Sequence, residues 1–283
     1  MKATVYVPHG LLALFVDKLW HIEANDLMLR GLNLPTLHTE WVINFSDHFA
    51  VQQSSGSSII TDESSWLSGL QTTPLRTITA GQHETMGALL KPWGLYALTG
   101  IGGFDLVNQT IASQDLVGPA LYSVLDRLQQ TNEATVKLKI LERFLVSRYV
   151  DKDIPAYLFY ASHYLQEQPF QDGIISDLCA TLRISRKSLN ESFQKYIGLS
   201  PSHYLRLNRF RTAAEAITTE PGRKLTDIAH QHHFFDQAHF IRLFREFANM
   251  TPGDYQKFVR MGSVNPFAAT ADTFSPSFIW EAA

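Results

Sequence analysis

The stretch KLTDIAHQHHFFDQAHFIRLFREF, Lys224 to Phe247, decides how the C-terminal part of this chain folds. It holds four histidines, at positions 230, 232, 233 and 239, and so raises the question of a metal site. A zinc site needs three or four converging ligands, and paired histidines on one helix stand four residues apart. His230 and His233 are only three apart. His230, His232 and His233 are therefore predicted to be structural or solvent-facing, and neither a metal nor another cofactor is expected.

This stretch is the second copy of an internal repeat. The segment ISDLCA, 175–180, precedes LTDIAH, 225–230, by 50 residues, and after a one-residue insertion in the second turn the offset becomes 51. Further pairs follow in order: Ile184 with Phe234, Leu189 with Phe240, Phe193 with Phe244, Ser200-Pro201 with Thr251-Pro252, and Tyr204 with Tyr255. A repeat that holds over this length predicts one supersecondary unit built twice.

Each copy has the pattern of two helices joined by a tight turn. The second helix is amphipathic, because Leu189, Phe193 and Ile197 recur one turn apart opposite a polar row. Ser185 and Asp236 stand where an N-cap would accept hydrogen bonds from free amides. The predicted helices are 174–182 and 185–197 in the first copy, and 225–232 and 236–249 in the second. This pattern is a helix-turn-helix, whose second helix enters the major groove of DNA.

The segment between the copies, 200–219, predicts a spacer helix. Ser200 is its cap, and Pro201 takes the first helical position, where a missing N–H costs nothing. Twenty helical residues span about 30 Å, and successive major grooves on one face of B-DNA lie about 34 Å apart. A stiff spacer of this length would hold two readout helices in adjacent grooves.

Residues 160–260 resemble the DNA-binding domain of AraC/XylS-type transcriptional regulators. The resemblance lies in ISRKSLNESFQKYIGLSPSHYLRLNRFRTAAEAI and LTDIAHQHHFFDQAHFIRLFREFANMTPGDYQKF. It implies a transcription factor that binds double-stranded DNA through two helix-turn-helix units joined by a helix, with RNA polymerase as a further partner. Three positions depart from the family pattern: Arg183 and His233 replace the usual turn glycines, and Glu191 stands where a cation or an amide is common.

Polar residues of the second helices and the spacer are the candidate DNA contacts. Arginine reads guanine, asparagine and glutamine read adenine, and phosphate contacts position the protein without specifying a sequence. The candidate base-contacting residues are Arg186, Lys187, Asn190, Gln237, His239 and Arg242. The candidate phosphate-contacting residues are Ser185, Gln194, Lys195, Ser202, Arg206, Arg209 and Arg245.

The N-terminal part has a different texture. The β-branched and aromatic runs EWVINFSD, 40–47, and RTITAG, 76–81, lie between Gly, Ser and Pro breaks, which predicts a sandwich or small barrel. Helical spacing over about 114–150 predicts helices that close this domain. The predicted fold class is α+β, with a β-rich sensing or dimerisation domain over 1–153, an all-α domain over 154–260, and a tail over 261–283.

The same part resembles an N-terminal domain of unknown function that occurs in a subset of AraC-type regulators and is thought to be related to cupin barrels. The matching segments are LLALFVDKLWHIE, LNLPTLHTEWVINFSD and LSGLQTTPLRTITAGQHETMGALLKPWGLYALTG. His38, His48 and His83 are scattered, so no metal cupin site is expected. Four tryptophans could line a pocket for a small-molecule effector, although plain core packing is the alternative. They are Trp20, Trp41, Trp66 and Trp93.

Composition bounds the remaining possibilities. The 283 residues carry a net charge of −3, but residues 154–260 hold 13 Lys and Arg against 10 Asp and Glu, which fits a polyanionic partner. No apolar run approaches the roughly 18 residues that span a membrane. The single cysteine, Cys179, rules out an intrachain disulfide. We therefore expect a cytoplasmic protein without a membrane segment.

Two other classes stay open. The replaced turn glycines and the modest positive charge allow a protein-interaction adaptor with a degenerate helix-turn-helix. An enzyme with its site in the N-terminal domain is the second alternative, but the sequence offers no triad, phosphate loop or ligand cluster, so no enzymatic activity is expected. The tail has Phe274, Phe278 and Trp280, and either disorder or docking on its own domain or a partner subunit is compatible with it. Homodimerisation is also left open.

Overall fold

The computed structural model describes residues 2–53, 58–149, 153–168, 170–261 and 278–282. It confirms the predicted α+β class, because antiparallel strands dominate the N-terminal part and helices follow one another to residue 260. In these ranges the strands are β1 (Lys2–Tyr6), β2 (Val16–Asn33), β3 (Thr39–Asn44), β4 (His48–Gln53), β5 (Ser58–Thr61), β6 (Ser65–Ser68), β7 (Leu75–Leu90), β8 (Thr110–Ala112) and β9 (Phe278–Ala282).

The helices of the described residues fall into two groups. Those that belong with the sheet are a 3₁₀ turn (Leu12–Leu14), α1 (Gly94–Thr99), α2 (Gly103–Leu106), α3 (Ser113–Val117), α4 (Ala120–Gln129) and α5 (Ala134–Arg148). Those that form the C-terminal part are α6 (Ala156–Glu167), α7 (Ile174–Leu182), α8 (Arg186–Tyr196), α9 (Pro201–Thr219), α10 (Leu225–Gln231), α11 (Gln237–Ala248) and α12 (Pro252–Arg260). Among the described helices, none has the combination of length and apolar composition that crossing a lipid bilayer requires.

Two long strands, β2 and β7, organise the sheet. They pair with each other over most of their length, and each half of β7 has its own second neighbour, β4 for residues 75–80 and β3 for residues 85–90. A register shift between Ala24 and Leu27 lies opposite Gly81, whose φ of 83° is in the left-handed region. The shift separates two halves of the sheet that can bend relative to each other.

The sheet curls so that one of its faces is enclosed. Phe49 of β4 and Trp66 of β6 stack with ring centroids 5.2 Å apart, although these two strands are not paired. The enclosed cluster is built from alternate residues of six strands: Trp20, Ile22, Val42, Phe49, Val51, Ile60, Trp66 and Leu75. We call this the inner cluster. These side chains meet because alternate residues of a strand point to the same face of a sheet.

The opposite face of the sheet packs against helices. Trp41 of β3 meets Phe144 of α5 edge-to-face at 5.5 Å. A polar contact fixes the same helix, because the buried Lys137 ammonium and His21 both reach the Glu84 carboxylate, His21 at 2.8 Å. These donors lower the pKa of Glu84 to about 2. The apolar cluster on this face continues without a break into the C-terminal helices.

The C-terminal helices begin where the sequence predicts. The Ser185 hydroxyl accepts from the Ser188 amide at 3.0 Å, and the Asp236 carboxylate accepts from the His239 amide at 2.6 Å. Ser200 caps α9 through the His203 amide, and Pro201 stands in its first turn. These caps satisfy amides that would otherwise lack partners at helix N-termini.

One segment differs in part from the sequence-based expectation, and the tail follows one of its two alternatives. The sequence predicts breaks at KPWG, 91–94, and GIGGF, 100–104. The structure has α1 between them, and α2 begins at Gly103 inside the second, because Leu95, Leu98 and Leu106 are buried. The tail contributes β9, which pairs antiparallel with residues 29–33 of β2. This pairing favours docking of 278–282 on the chain's own sheet, and Phe274 lies outside the described residues.

The two helix-turn-helix turns contain non-glycine residues with left-handed backbone. Arg183 has φ 55° and His233 has φ 58°, and both side chains are exposed. Asn249, after α11, has φ 55°. A left-handed conformation costs an ordinary L-residue about 1 kcal/mol or more, whereas glycine avoids this cost and asparagine reduces it. Each turn is therefore strained at the position where related domains usually have glycine.

Arg183→Gly and His233→Gly are each expected to raise the free energy of unfolding by about 1 kcal/mol, because they remove this strain. Chemical denaturation of the full chain measures the change. Asn249→Gly is the matched control and should gain less. A loss of stability in both turn variants would show that the left-handed residues are not strained.

Candidate nucleic-acid interface

The two units place their second helices in the same way. In α8 the buried residues are Leu189, Phe193 and Tyr196, and in α11 they include Phe240, Phe244 and Phe247. In both, one side of the helix is packed against the domain and the other faces solvent. We call α8 and α11 the reader helices, since the second helix of a helix-turn-helix unit is the one that enters the major groove.

The six candidate base-contacting residues lie on these free sides. Arg186, Lys187, Gln237 and Arg242 are exposed, and Asn190 and His239 are half-buried. The Arg186 guanidinium donates to the Ser176 hydroxyl of α7, which orients it across the turn. The Lys187 ammonium lies 3.8 Å from the Glu191 carboxylate. Glu191 therefore partly neutralises the first reader helix.

His239 stands at the start of α11 with its ring edge-on to Phe234, centroids 5.6 Å apart. Burial lowers the pKa of His239, and the nearby Arg209 and Arg242 lower it further. A neutral imidazole has one donor and one acceptor nitrogen. At neutral pH this side chain is therefore suited to a base edge rather than to a phosphate.

The candidate phosphate-contacting residues differ in availability. Ser202 and Arg245 are exposed, and Gln194 is half-buried. The Ser185 hydroxyl serves as the cap of α8. Arg206 pairs with Glu246 on α11. Lys195 is exposed, but its ammonium lies over the Tyr196 ring at 4.9 Å and near Tyr96 of the N-terminal part.

Arg209 has a different role from the phosphate contact predicted for it. It is buried, and its guanidinium donates to the carbonyls of His232, at 2.9 Å, and His233. The guanidinium carbon, Cζ, lies 3.9 Å from the Phe234 ring centroid and 4.2 Å from that of Phe170. The side chain thus ties α9 to the second turn. No sequence signal distinguished it from the exposed arginines of the same helix.

The histidines of the second unit do not converge. His230 and His233 are exposed, and burial lowers the pKa of His232. Within the described residues, no group of three or more potential metal ligands lies close enough together to hold an ion.

The four tryptophans predicted to line an effector pocket lie in three places. Trp20 and Trp66 belong to the inner cluster. Trp41 lies on the opposite face of the sheet, against Phe144. Trp93 donates to the Leu14 carbonyl at 2.8 Å and meets Phe159 of α6 at 4.8 Å. Of the four tryptophans, only Trp20 and Trp66 lie on the enclosed face of the sheet.

Glu40 is a residue that the sequence reading missed. It pairs in register with Leu89 and Ser68, and it shares the enclosed face of β3 with Val42 two residues on. Burial raises the pKa of this carboxyl to about 7. A hydrophobic strand with one acidic residue is a weak sequence signal, because the same pattern describes a solvent-facing glutamate.

The N-terminal part touches the first reader helix through a close backbone contact, which we call the joint. A Cβ atom on Gly103 of α2 would lie 2.5 Å from the Gly198 nitrogen, just beyond α8. Tyr96 of α1 packs edge-to-face on Tyr196 of α8 at 4.8 Å. Glycine is required at 103 because any side chain would collide with backbone atoms.

This geometry defines a double helix-turn-helix protein with a sheet domain joined to its first unit. Comparison with known proteins adds the kind of domain. Residues 178–257 match the family described as "Helix-turn-helix domain", and residues 4–112 match the "Domain of unknown function (DUF6597)". The C-terminal part is therefore similar to known helix-turn-helix domains, and most of the N-terminal part is similar to the second family.

The similarity to curated relatives covers only part of each chain. YbfP of Bacillus subtilis (strain 168), named an uncharacterized HTH-type transcriptional regulator, is 30% identical over 112 residues, 40% of this chain and 36% of the relative. RhaR of Yersinia pseudotuberculosis serotype O:1b (strain IP 31758), named an HTH-type transcriptional activator, is 34% identical over 87 residues, 30% of each chain. The match thus spans about a third of the length of these curated relatives.

Among solved structures, ToxT from Vibrio cholerae O395 aligns over 90% of this chain and 96% of its own, with a TM-score of 0.46 and 15% identity. The AraC-like transcriptional activator CuxR aligns over 76% of this chain and 87% of its own, with a TM-score of 0.26 and 14% identity.

Glu40 generates a test of the enclosed face. The pKa of this carboxyl is higher in the folded state than in the unfolded state. The protein therefore loses stability as the pH rises from the pKa of the unfolded state to that of the folded state. We expect the wild type to lose about 2 kcal/mol of stability relative to Glu40→Gln between pH 5 and pH 8. Denaturant unfolding at both pH values measures the difference. Glu167→Gln, on the exposed side of α6, should show no such divergence, and a pH-independent gap for Glu40→Gln would mean that the carboxyl is solvated.

Proposed function

We propose that this protein is a sequence-specific DNA-binding regulator of transcription, modulated by a small molecule or a partner at its N-terminal domain. The observation that carries the proposal is the pair of reader helices, each with a buried apolar face and a free face rich in hydrogen-bond donors. The names of its relatives, regulators and activators of transcription, support the same class.

Recognition would divide between the two units. The free sides of α8 and α11 would contact base edges through Arg186, Lys187 and Asn190 in one groove, and through Gln237, His239 and Arg242 in the next. Ser202 and Arg245 remain available for phosphates, whereas Arg206 would have to exchange its ion pair with Glu246 for a phosphate. α9, with 19 residues, is about 28 Å long, a length that suits adjacent major grooves.

The N-terminal domain would supply the regulation. The half-buried Glu40 shares the enclosed face of β3 with Val42 of the inner cluster, and Val42 pairs in register with Trp66. We therefore propose the enclosed face as the effector region. The joint at Gly103 and Gly198 would transmit a change in the sheet domain to α8. We propose that the boundary between the N-terminal and the C-terminal domain lies near residue 153. RNA polymerase contact, homodimer formation and a cytoplasmic location belong to this proposal.

The alternative is an adaptor that uses the same fold without reading DNA. The Lys187–Glu191 pair and the strained turns favour it, because they weaken the first reader helix. Selection of bound sites from random duplex DNA separates the two. Two enriched sequence blocks would support the regulator, and an intact, folded protein that enriches none would support the adaptor. In both cases we propose that the protein is not an enzyme.

Arg186→Ala and Arg242→Ala are each expected to weaken binding to the selected site by about ten- to a hundredfold, since each removes one base-edge contact. Binding to random DNA should change by less than about threefold, because only one charge is lost. Titration of both DNAs at fixed salt measures the effects. Arg127→Ala, which removes an exposed charge from α4, is the matched control. Equal losses on selected and random DNA would show that these arginines do not read bases.

Gly103→Ala is expected to separate the joint, because its Cβ would collide with backbone atoms of Ile197 and Gly198. We expect a loss of about 1–3 kcal/mol in unfolding free energy and weaker binding at the sequence block read by α8. Gly222→Ala is the control, since a Cβ there meets open space. If Gly103→Ala behaves like its control in melting and in DNA binding, the joint does not couple the domains.

A further inference from the structure

The second turn contains one residue that the first turn lacks. Both turns contain a left-handed residue, Arg183 or His233, followed by a buried or half-buried apolar residue, Ile184 or Phe234. In the first unit the cap of the reader helix follows at once, at position 185. In the second unit the cap is Asp236, one position later. The inserted residue is therefore Phe235.

Phe235 takes no part in holding the turn together. Its side chain is 93% exposed, the highest value among the exposed large apolar residues of the described chain. The packing role belongs to Phe234, whose ring lies 4.7 Å from that of Phe240 and covers the Arg209 guanidinium. The insertion thus adds an apolar surface and leaves the core unchanged.

The position of this surface indicates what it contacts. Phe235 directly precedes the cap of α11, and the next three residues, 236–238, are also exposed. The first residues of a recognition helix are those that reach base edges in the major groove. The apolar group presented there is the 5-methyl of thymine, and phenylalanine is one of the side chains that contact it.

We propose that Phe235 is a specificity-determining residue that packs on a thymine methyl group at one position of the site read by α11. The inference rests on the proposed function and adds a contact that the polar residues of α11 cannot make. Burying the ring against the methyl removes water from two apolar surfaces, so the preference needs no hydrogen bond.

A protein partner is the competing occupant. The exposed residues of α11 include Arg242 and Arg245, so the free side of this helix carries two cations, although Asp236 lies next to Phe235. Positive charge along the free side favours a polyanion over an apolar protein surface. DNA is therefore the occupant that the charges support.

The test replaces thymines by uracil, one at a time, in the site selected by the wild-type full chain. Uracil keeps the hydrogen-bonding edge and lacks only the methyl. We expect one replacement to weaken wild-type binding by about three- to fivefold, the effect of one buried methyl group. Phe235→Ala should bind the thymine site more weakly by a similar or larger factor and should not respond to that uracil. Phe235→Leu should retain part of the preference.

Tyr122→Ala is the matched control, because this aromatic residue is 55% exposed on α4, away from the joint and from both reader helices, and should leave DNA binding unchanged. The inference is overturned if wild type and Phe235→Ala respond alike to every uracil. It is also overturned if Phe235→Ala binds DNA normally and loses only transcriptional activity, which would assign the ring to a protein partner. Should the wild type select no site at all, the proposed function fails and this contact with it.

Discussion

The apolar seam along α9 is the constraint on which the rest of the C-terminal part depends. Phe210 of α9 meets Phe244 and Phe247 of α11 at 5.0 and 5.4 Å, and Tyr204 meets Phe193 of α8 at 5.5 Å. Both reader helices thus bury their apolar faces on one helix. Because burial fixes which side of each reader helix is inside, it also fixes which side faces the solvent and how far apart the two free faces lie.

The second turn shows how this seam controls local backbone. Arg209 extends from α9 to the carbonyls of His232 and His233, and Phe234 covers its guanidinium. A buried cation is costly unless its donors are satisfied, so these carbonyls are held in place. The strained φ of His233 persists because the surrounding contacts determine it. Arg183 of the first turn has the same left-handed backbone conformation.

Much of the C-terminal part could be predicted from the sequence, because its signals are local. Helical spacing, the caps Ser185 and Asp236, and Pro201 in the first turn of α9 all act within a few residues, and the internal repeat doubled the evidence. The fate of Arg209 could not be predicted, since its partners lie 23 and 24 residues away. The local sequence around Arg206, Arg209 and Arg245 does not indicate which guanidinium is buried and which is exposed.

Less of the N-terminal part could be predicted from the sequence, because strands pair with residues that are distant in the chain. The alternating runs gave the strands, but not the curl that brings Phe49 onto Trp66, nor the face to which Glu40 points. The short helices α1 and α2 form because their leucines are buried, whereas the glycines at 94 and 100–103 suggested only breaks in the sequence. The tail strand 278–282 pairs with β2 almost 250 residues earlier in the chain, a contact that no sequence pattern specifies.

The central claim is that α9 holds two readers at a fixed distance, and base-pair insertion between the two selected sequence blocks tests it most directly. An insertion of half a helical turn, about five base pairs, moves one block to the opposite face of the duplex. A full turn restores the face but adds about 34 Å, which exceeds the reach of α9. We predict that binding falls to the level of a single block in both cases. Recovery at the full-turn insertion, or indifference to both, would contradict a rigid double reader.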